Sequence, residues 1–275
     1  MKQISCSCDL QAFHAENSPG QIVGMMIARH LGGGARRLTR GIYHRNLSSV
    51  GTLYTHRGIP SPDIVHMYLE EAGSTDIVTY ENTNVNKMEN RGEEYKKINP
   101  LGEVPTLVVA DGGGCITEST TICKYLDAIR TDGVGSSLVG ASPIERAMTD
   151  VWLERLNDKF LSPFGLAFRC GPMAEWFKDR RPGEIEPAAS EPMASIAQSG
   201  LRFLDKALSD GRPFLYGERF TIVDIRFYVY YRFISKIDKR QAAPAELKHV
   251  HALLERIGAR HSAKAILPPK REKKK

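Results

Sequence analysis

Strand-forming and helix-forming segments are segregated along this chain, and that segregation is the tightest constraint on its fold. The strongest short runs of β-branched and aromatic residues bounded by turn formers fall between Gly51 and Thr117. The strong apolar periodicities after residue 143 all repeat at three to four residues. Residues 52–55 read as a short strand, with Pro60 and Pro62 punctuating its exit. Ile64, Val65, Tyr68, Leu69 and Ala72 then recur at helical spacing, predicting a helix that opens at Pro62 and stops at Gly73. Residues 77–80 read as a second strand, and a polar stretch with a short helix leads to a third over 106–110. The Asp111-Gly112-Gly113-Gly114 turn returns the chain into a fourth strand over 115–117. Ile122, Tyr125, Leu126 and Ile129 mark one face of the next helix.

The order strand, helix, strand, helix, strand, strand, helix within about eighty residues is that of a thioredoxin-like half. A Gly- and Ser-rich linker over 131–142 follows. Beyond it, residues 146–160, 190–208, 224–237 and 246–257 carry helical periodicity with no competing strand pattern. The fold expected is an α/β thioredoxin-like N-terminal domain over 51–130 followed by an all-α C-terminal domain over 143–267. A chain of 275 residues has room for both. No uninterrupted apolar run approaches the ~18 residues of a membrane helix, so no membrane insertion is expected.

The net charge of +6 is misleading until it is divided along the chain. Residues 1–50 hold six basic groups against two acidic ones and residues 268–275 hold five against one, while the body between them holds 27 against 29. Basicity confined to the two ends is not the charged face of a nucleic-acid-binding domain, and no nucleic-acid partner is expected. Between Asn17 and Val50 there is no acidic residue, but Arg29, Arg36, Arg37, Arg40 and Arg45 recur among Ala, Leu, Gly and Ser. That composition fits a mitochondrial transit peptide, with Met25 a candidate start and the stretch from Arg45 to Ser48 resembling a cleavage site. A disordered basic leader with no targeting value, on a cytoplasmic protein, accounts for it equally. Residues 268–275 read as a solvated basic tail. The five cysteines are scattered without a CxxC pair, which excludes a disulfide framework and a zinc site; no metal is expected.

Two stretches carry a family resemblance. Asn99-Pro100-Leu101-Gly102-Glu103-Val104-Pro105-Thr106-Leu107, followed by Ile116-Thr117-Glu118-Ser119 and Tyr125-Leu126, resembles the cytosolic glutathione transferases. Gly217-Glu218-Arg219-Phe220-Thr221-Ile222-Val223-Asp224-Ile225 is similar to that family's helical-domain motif. Pro60-x-Pro62 and the stretches from Leu138 to Gly140 and from Trp152 to Arg155 look most like an atypical fungal and bacterial class without a standard catalytic Ser, Tyr or Cys. The resemblance implies a homodimer that keeps no permanent cofactor and uses glutathione as co-substrate. It implies that Val104, before a cis-Pro105, pairs its backbone with the cysteinyl unit, and that Glu118 and Ser119 hold the γ-glutamyl end. Physically, an open strand edge suits a peptide-like ligand, and a hydroxyl and a carboxylate at a helix start suit a carboxylate and an ammonium. Ordinary helix capping is the alternative for Glu118-Ser119.

The chemistry required is a thiol held as its anion, which hydrogen-bond donors and a helix N-terminus favour. Ile59 stands where serine-type relatives carry Ser, Pro60 where cysteine-type relatives carry Cys, and Tyr54 is one residue out of the tyrosine-type register. Ser61 and His56 are the nearby candidates, and Arg169 falls about where the atypical class carries a histidine. For His56 a plain surface histidine is the alternative, and for Cys170 a plain buried thiol rather than a reactive one. Asp63, just inside the first helix, favours the helix dipole and opposes a thiolate. An electrophile pocket between the domains is expected to draw on Phe164, Phe168 and Trp176; Trp176 and the Tyr228-Tyr230-Tyr231 run also read as core and domain contacts. The function expected is conjugation of the glutathione thiolate to a small, partly apolar electrophile. A non-enzymatic glutathione-binding or scaffold protein is the alternative, and a glutathione-dependent peroxidase or isomerase a further one.

Overall fold

The computed structural model describes residues 49–130 and 137–267. The basic leader up to residue 48, residues 131–136 of the linker and the 268–275 tail lie outside the described residues, and with them the targeting and cleavage expectations. Ser49 and Val50, assigned to the leader on sequence, are already tied to the sheet: the Val50 N–H donates to the Ile77 carbonyl at 2.7 Å, and the Ser49 hydroxyl accepts from the Thr79 N–H at 3.1 Å.

The N-terminal half runs β1 (Gly51–Thr55), α1 (Pro60–Glu71), β2 (Thr79–Asn82), a short α2 (Glu93–Lys96), β3 (Thr106–Val109), β4 (Cys115–Ile116) and α3 (Ser119–Ile129). The sheet order is β2-β1-β3-β4, with β2 parallel to β1 and the other two pairings antiparallel. Gly51 is required by close approach: a Cβ there would sit 2.2 Å from the Val108 carbonyl oxygen. Two boundaries shift from the sequence expectation. β2 starts at Thr79, with Ile77 before it accepting the Val50 N–H, and α1 opens at Pro60 rather than Pro62, since a proline at the first helical position loses no internal hydrogen bond.

The second half is helical throughout among its described residues. It comprises α4 (Pro143–Leu156), a π-helical turn over Asn157–Leu161, α5 (Ser162–Cys170), α6 (Ala174–Lys178), α7 (Ser190–Leu208), α8 (Ile222–Ile237), α9 (Lys248–Gly258) and α10 (His261–Ala265). α5, α6 and α10 had no counterpart in the sequence reading. Two are single turns, and Pro163 and Gly165 break the propensity of the third. Where α7 crosses the π-helical turn, a Cβ on Gly200 would lie 2.1 Å from the Lys159 carbonyl oxygen, so only glycine permits the contact.

One hydrophobic core runs through both halves, from Leu53, Val65 and Leu107 to Leu156, Leu201, Phe227 and Leu253. α1 sits at its centre, packed against α3, α8 and α10, and every residue from Pro62 to Leu69 is buried. Polar ties reinforce the junction. Asp127 on α3 accepts from the Tyr68 hydroxyl at 3.0 Å, from the Ser137 hydroxyl at 2.6 Å and from the Leu138 N–H at 3.1 Å. Glu71 at the end of α1 accepts from Arg260 and, at 2.6 Å, from the Ser262 hydroxyl.

Candidate functional site

The loop from Asn99 to Thr106 is shaped by buried polar side chains. The Tyr95 hydroxyl donates to the Glu103 carbonyl at 2.7 Å, and the Asn99 amide donates to that carbonyl at 2.9 Å and to the Thr106 hydroxyl at 3.0 Å. The Asn90 amide holds the Gly102 carbonyl at 2.6 Å. These bonds satisfy the two carbonyls that precede Val104. The Val104–Pro105 peptide is cis, as the family resemblance implies. Among the described residues the backbone N–H and C=O of Val104 itself have no hydrogen-bond partner, so this strand edge is open to a ligand. Asn90 and Tyr95, which the sequence reading passed over, are what hold it open.

β3 and β4 place the next pair. Leu107 faces Ile116 and Val108 faces Cys115, so the chain leaves β4 toward Glu118 and Ser119 on the side of β3 where Pro105 and Val104 precede it. Glu118 is exposed and has φ 63 and ψ 114, a backbone region costly for any residue but glycine. It occupies the N-cap position of α3 yet makes no capping bond, and Ser119 is already the first helical residue. The capping alternative is therefore removed. The α3 start is free of side-chain capping bonds and strained.

A cleft of about 350 Å³ lies between the two halves, bordered on one wall by Ile59, Pro60, Ser61 and Val104 and on the other by α5, α6 and α8. Pro60 and Pro62 have no N–H, so Ser61 supplies the one backbone donor among the first three positions of α1. Its hydroxyl lies 3.0 Å from that of Tyr230 on α8. Whichever oxygen accepts in that bond keeps its own hydrogen for a third group. Tyr230, read on sequence as a core or domain contact, is thus a component of the site. Its position could be found only by knowing that α8 packs on α1.

Of the other expected residues, Phe168, Trp176 and Arg169 line the cleft, whereas Phe164 and His56 do not. Phe164 is fully buried between Phe160 and Tyr231, because its side of α5 faces the core. His56 is half-buried outside the cleft, with its Nδ1 enclosed and unpartnered. Cys170 is a buried thiol at the end of α5. Asp63 also differs from expectation: it is buried beneath the helix start and is not part of the cleft wall. Its carboxylate takes the Gly58 N–H at 3.0 Å and faces Arg57 at 3.8 Å and Arg232 at 3.5 Å. Burial pushes its pKa up to about 6 against the pull of that N–H and the two guanidinium groups. The negative charge sequence reasoning set against a thiolate is neutralised locally. No metal-binding cluster occurs among the described residues.

Comparison with known proteins places these features. Residues 49–128 match the family model for the glutathione S-transferase N-terminal domain, and residues 152–256 that for the glutathione S-transferase C-terminal domain. The chain is 30% identical over 182 residues to the probable glutathione S-transferase GSTU6 of Oryza sativa subsp. japonica, covering 64% of this chain and 72% of that one. The solved structure of Gtt2 from Saccharomyces cerevisiae superposes with a TM-score of 0.67 at 26% identity, covering 78% of this chain and all of that one. Two matches are shorter. Protein LigF of a Sphingobium species is 38% identical over 96 residues, spanning 34% of this chain and 36% of its own length. Elongation factor 1-gamma of Prunus avium is 30% identical over 137 residues, spanning 50% of this chain and 29% of its own.

Proposed function

The chain belongs to the glutathione S-transferase superfamily, and from that premise we propose that it conjugates the thiolate of glutathione to a small, partly apolar electrophile. Membership supports a glutathione transferase function broadly. The observation that carries the specific reading is Glu118: a non-glycine residue held at φ 63 without any side-chain capping bond, next to Ser119 and just after the strand that pairs with β3, which itself follows the open backbone of Val104. In this reading Val104 pairs with the cysteinyl unit, while Glu118 takes the γ-glutamyl ammonium and Ser119 with the α3 N-terminus takes its carboxylate.

The sulfur then lies toward the turn from Ile59 to Ser61. The Ser61 N–H and the free hydrogen of the Ser61–Tyr230 pair supply donors that favour the thiolate, with Asp63 paired off below. The thiol proton leaves to solvent, the sulfur lone pair bonds to the electrophilic carbon, and the leaving group departs with its bonding electrons. Ser61 is the candidate catalytic residue; Phe168 and Trp176 form the apolar wall for the electrophile.

Two further parts of the reading rest on separate observations. A homodimer is supported by Ile144, Met148 and Val151, exposed at one-helical-turn spacing on α4. Import into mitochondria is supported by the acid-free arginine pattern of the leader alone. A fluorescent fusion of residues 25–50 that stays diffuse in the cytosol removes it.

A scaffold role is the second reading. It is favoured by Ile59 and Pro60 standing where relatives carry a hydroxyl or thiol, and by the likeness to elongation factor 1-gamma. Ultraviolet titration of protein-bound glutathione thiolate separates the two. The enzyme reading expects a bound thiol pKa below that of free glutathione, moved up toward the free value by Ser61→Ala. A bound pKa equal to the free one in both proteins leaves the scaffold.

A further inference from the structure

The cleft is more cationic than its apolar role requires. Arg91, Arg169, Arg180 and Arg181 all line it, against Glu103 as the one carboxylate residue of its wall. Arg181 is accounted for, paired with Glu103 across the cleft and with Glu184 at 2.9 Å. Arg91 donates to the Leu101 carbonyl at 2.7 Å on the N-terminal side. Arg91, Arg169 and Arg180 have no carboxylate partner among the described residues, and the last two belong to the helical-domain wall. Arg180 lies over the Trp176 ring at 3.9 Å and donates to the Trp176 carbonyl at 2.8 Å, but its Nε is enclosed without a partner. Arg169 is half-buried at the end of α5, folded over Gly165, and has no hydrogen bond or ion pair among the described residues. Burial and the neighbouring Arg181 both push its pKa below the ordinary value, which is the mark of a cation short of counter-charge.

A half-buried guanidinium with no anion is unfavourable, and its planar fork matches a carboxylate. Around the pair the wall is aromatic: Trp176 meets Phe177 edge-to-face at 4.7 Å, and Phe168 meets Phe177 and Phe233 in the same manner. We propose that the helical-domain wall selects an aromatic electrophile bearing a carboxylate, with Arg169 and Arg180 receiving the carboxylate and Trp176, Phe177 and Phe168 the ring. This rests on the glutathione reading above and specifies its second substrate. The competing occupant for these arginines is the glycyl carboxylate of glutathione itself.

A matched pair of ligands tests it. Glutathione reacts with 4-chloro-3,5-dinitrobenzoate, or with the corresponding benzamide, by forming a carbon–sulfur bond and releasing chloride with the bonding pair. Both conjugates can be made without the protein and titrated into the full chain by calorimetry, beside glutathione alone. The expected result is about tenfold tighter binding of the carboxylate conjugate than of the carboxamide, as for one charge-assisted contact. Arg169→Gln should bring the ratio close to one, and Arg169→Lys should restore part of it, with circular dichroism confirming that both variants fold. Glutathione bound with a conjugate ratio near one in the unaltered protein overturns this inference alone. So does an Arg169→Gln variant that loses as much affinity for glutathione as for the carboxylate conjugate, since Arg169 would then hold the glycyl end. Failure of glutathione and both conjugates to bind overturns the glutathione reading itself, and the inference with it.

Discussion

Two helices of this protein begin with side chains of the kind that cap helices, and they begin in opposite ways. At the start of α8 every group is used. The Thr221 hydroxyl accepts from the Val223 N–H at 3.3 Å, Asp224 reaches back to the Thr221 N–H at 2.9 Å and takes the Leu215 N–H at 2.9 Å, and Phe220 and Ile225 are buried on either side. At the start of α3 the side chains are left over: Glu118 is exposed and strained, and only its carbonyl is engaged, by the Ile122 N–H, with no side-chain capping bond. The same residue classes at the same kind of position serve stability where they are satisfied internally. Where they are left over, they are available to a ligand.

The largest effect expected from breaking this contrast is on the satisfied end. Asp224→Ala removes a fully buried acceptor and leaves the Leu215 and Thr221 N–H groups unpaired, so unfolding free energy should drop by about 3 kcal/mol in urea titration. Glutathione affinity of the protein that remains folded should stay as it was. A shift in affinity without loss of stability would show that α8's start is not purely structural.

The next effect is a pH dependence. Burial, against the hydrogen bonds from Leu215 and Thr221, raises the Asp224 pKa from 3.8 to about 6. The folded state therefore holds the proton more tightly than the unfolded state does. The contribution is fully present below the unfolded value and is lost as pH rises through about 6. Stability of the unaltered protein relative to Asp224→Asn should fall between pH 4 and 7 by on the order of 2 kcal/mol, with Asp63 common to both and cancelling. A difference that is flat with pH, or that rises, contradicts it.

On the unsatisfied end the expected signs reverse. Ser119→Ala should weaken glutathione binding by about 1–2 kcal/mol while the melting curve hardly moves, because no internal partner is lost. Unchanged calorimetric affinity removes the γ-glutamyl site. The smallest effect is the most diagnostic: Glu118→Gly should raise stability by about 1 kcal/mol, since glycine adopts φ 63 without strain, and should lower glutathione affinity at the same time. A variant that is both less stable and unchanged in binding would mean that the strain serves the fold.

Legibility in the sequence followed the range of the interactions involved. The thioredoxin-like sheet and the long helices α7, α8 and α9 are written in local periodicity, and the Asn99 to Thr106 loop in a run of eight residues whose Asn99 and Thr106 bond to one another and whose Glu103 carbonyl is held by nearby Tyr95. The helical wall of the cleft is assembled from α5, α6 and α8 and the loop after α6, and no local pattern marks Arg169, Arg180 and Tyr230 as neighbours of Ser61. Phe164 and Phe168 are four residues apart on α5, yet one belongs to the core and the other to the cleft. That distinction depends on where α8 lies and is absent from the chain's own periodicity.

α1 carries a last consequence. A helix buried along Pro62 to Leu69 has no solvent face to give up, and its partners come from both halves of the chain: α3 on one side, α8 and α10 on the other. The linker near residue 137 is thus a seam in the covalent chain and not in the cooperative unit. Neither half is a module in the sense of something that can be cut out and carried elsewhere. A gene fragment ending near residue 130 would present the α8-facing side of α1 to water, taking from Ser61 its Tyr230 partner and from Asp63 its Arg232. The two halves should therefore melt in one transition, since they share one helix.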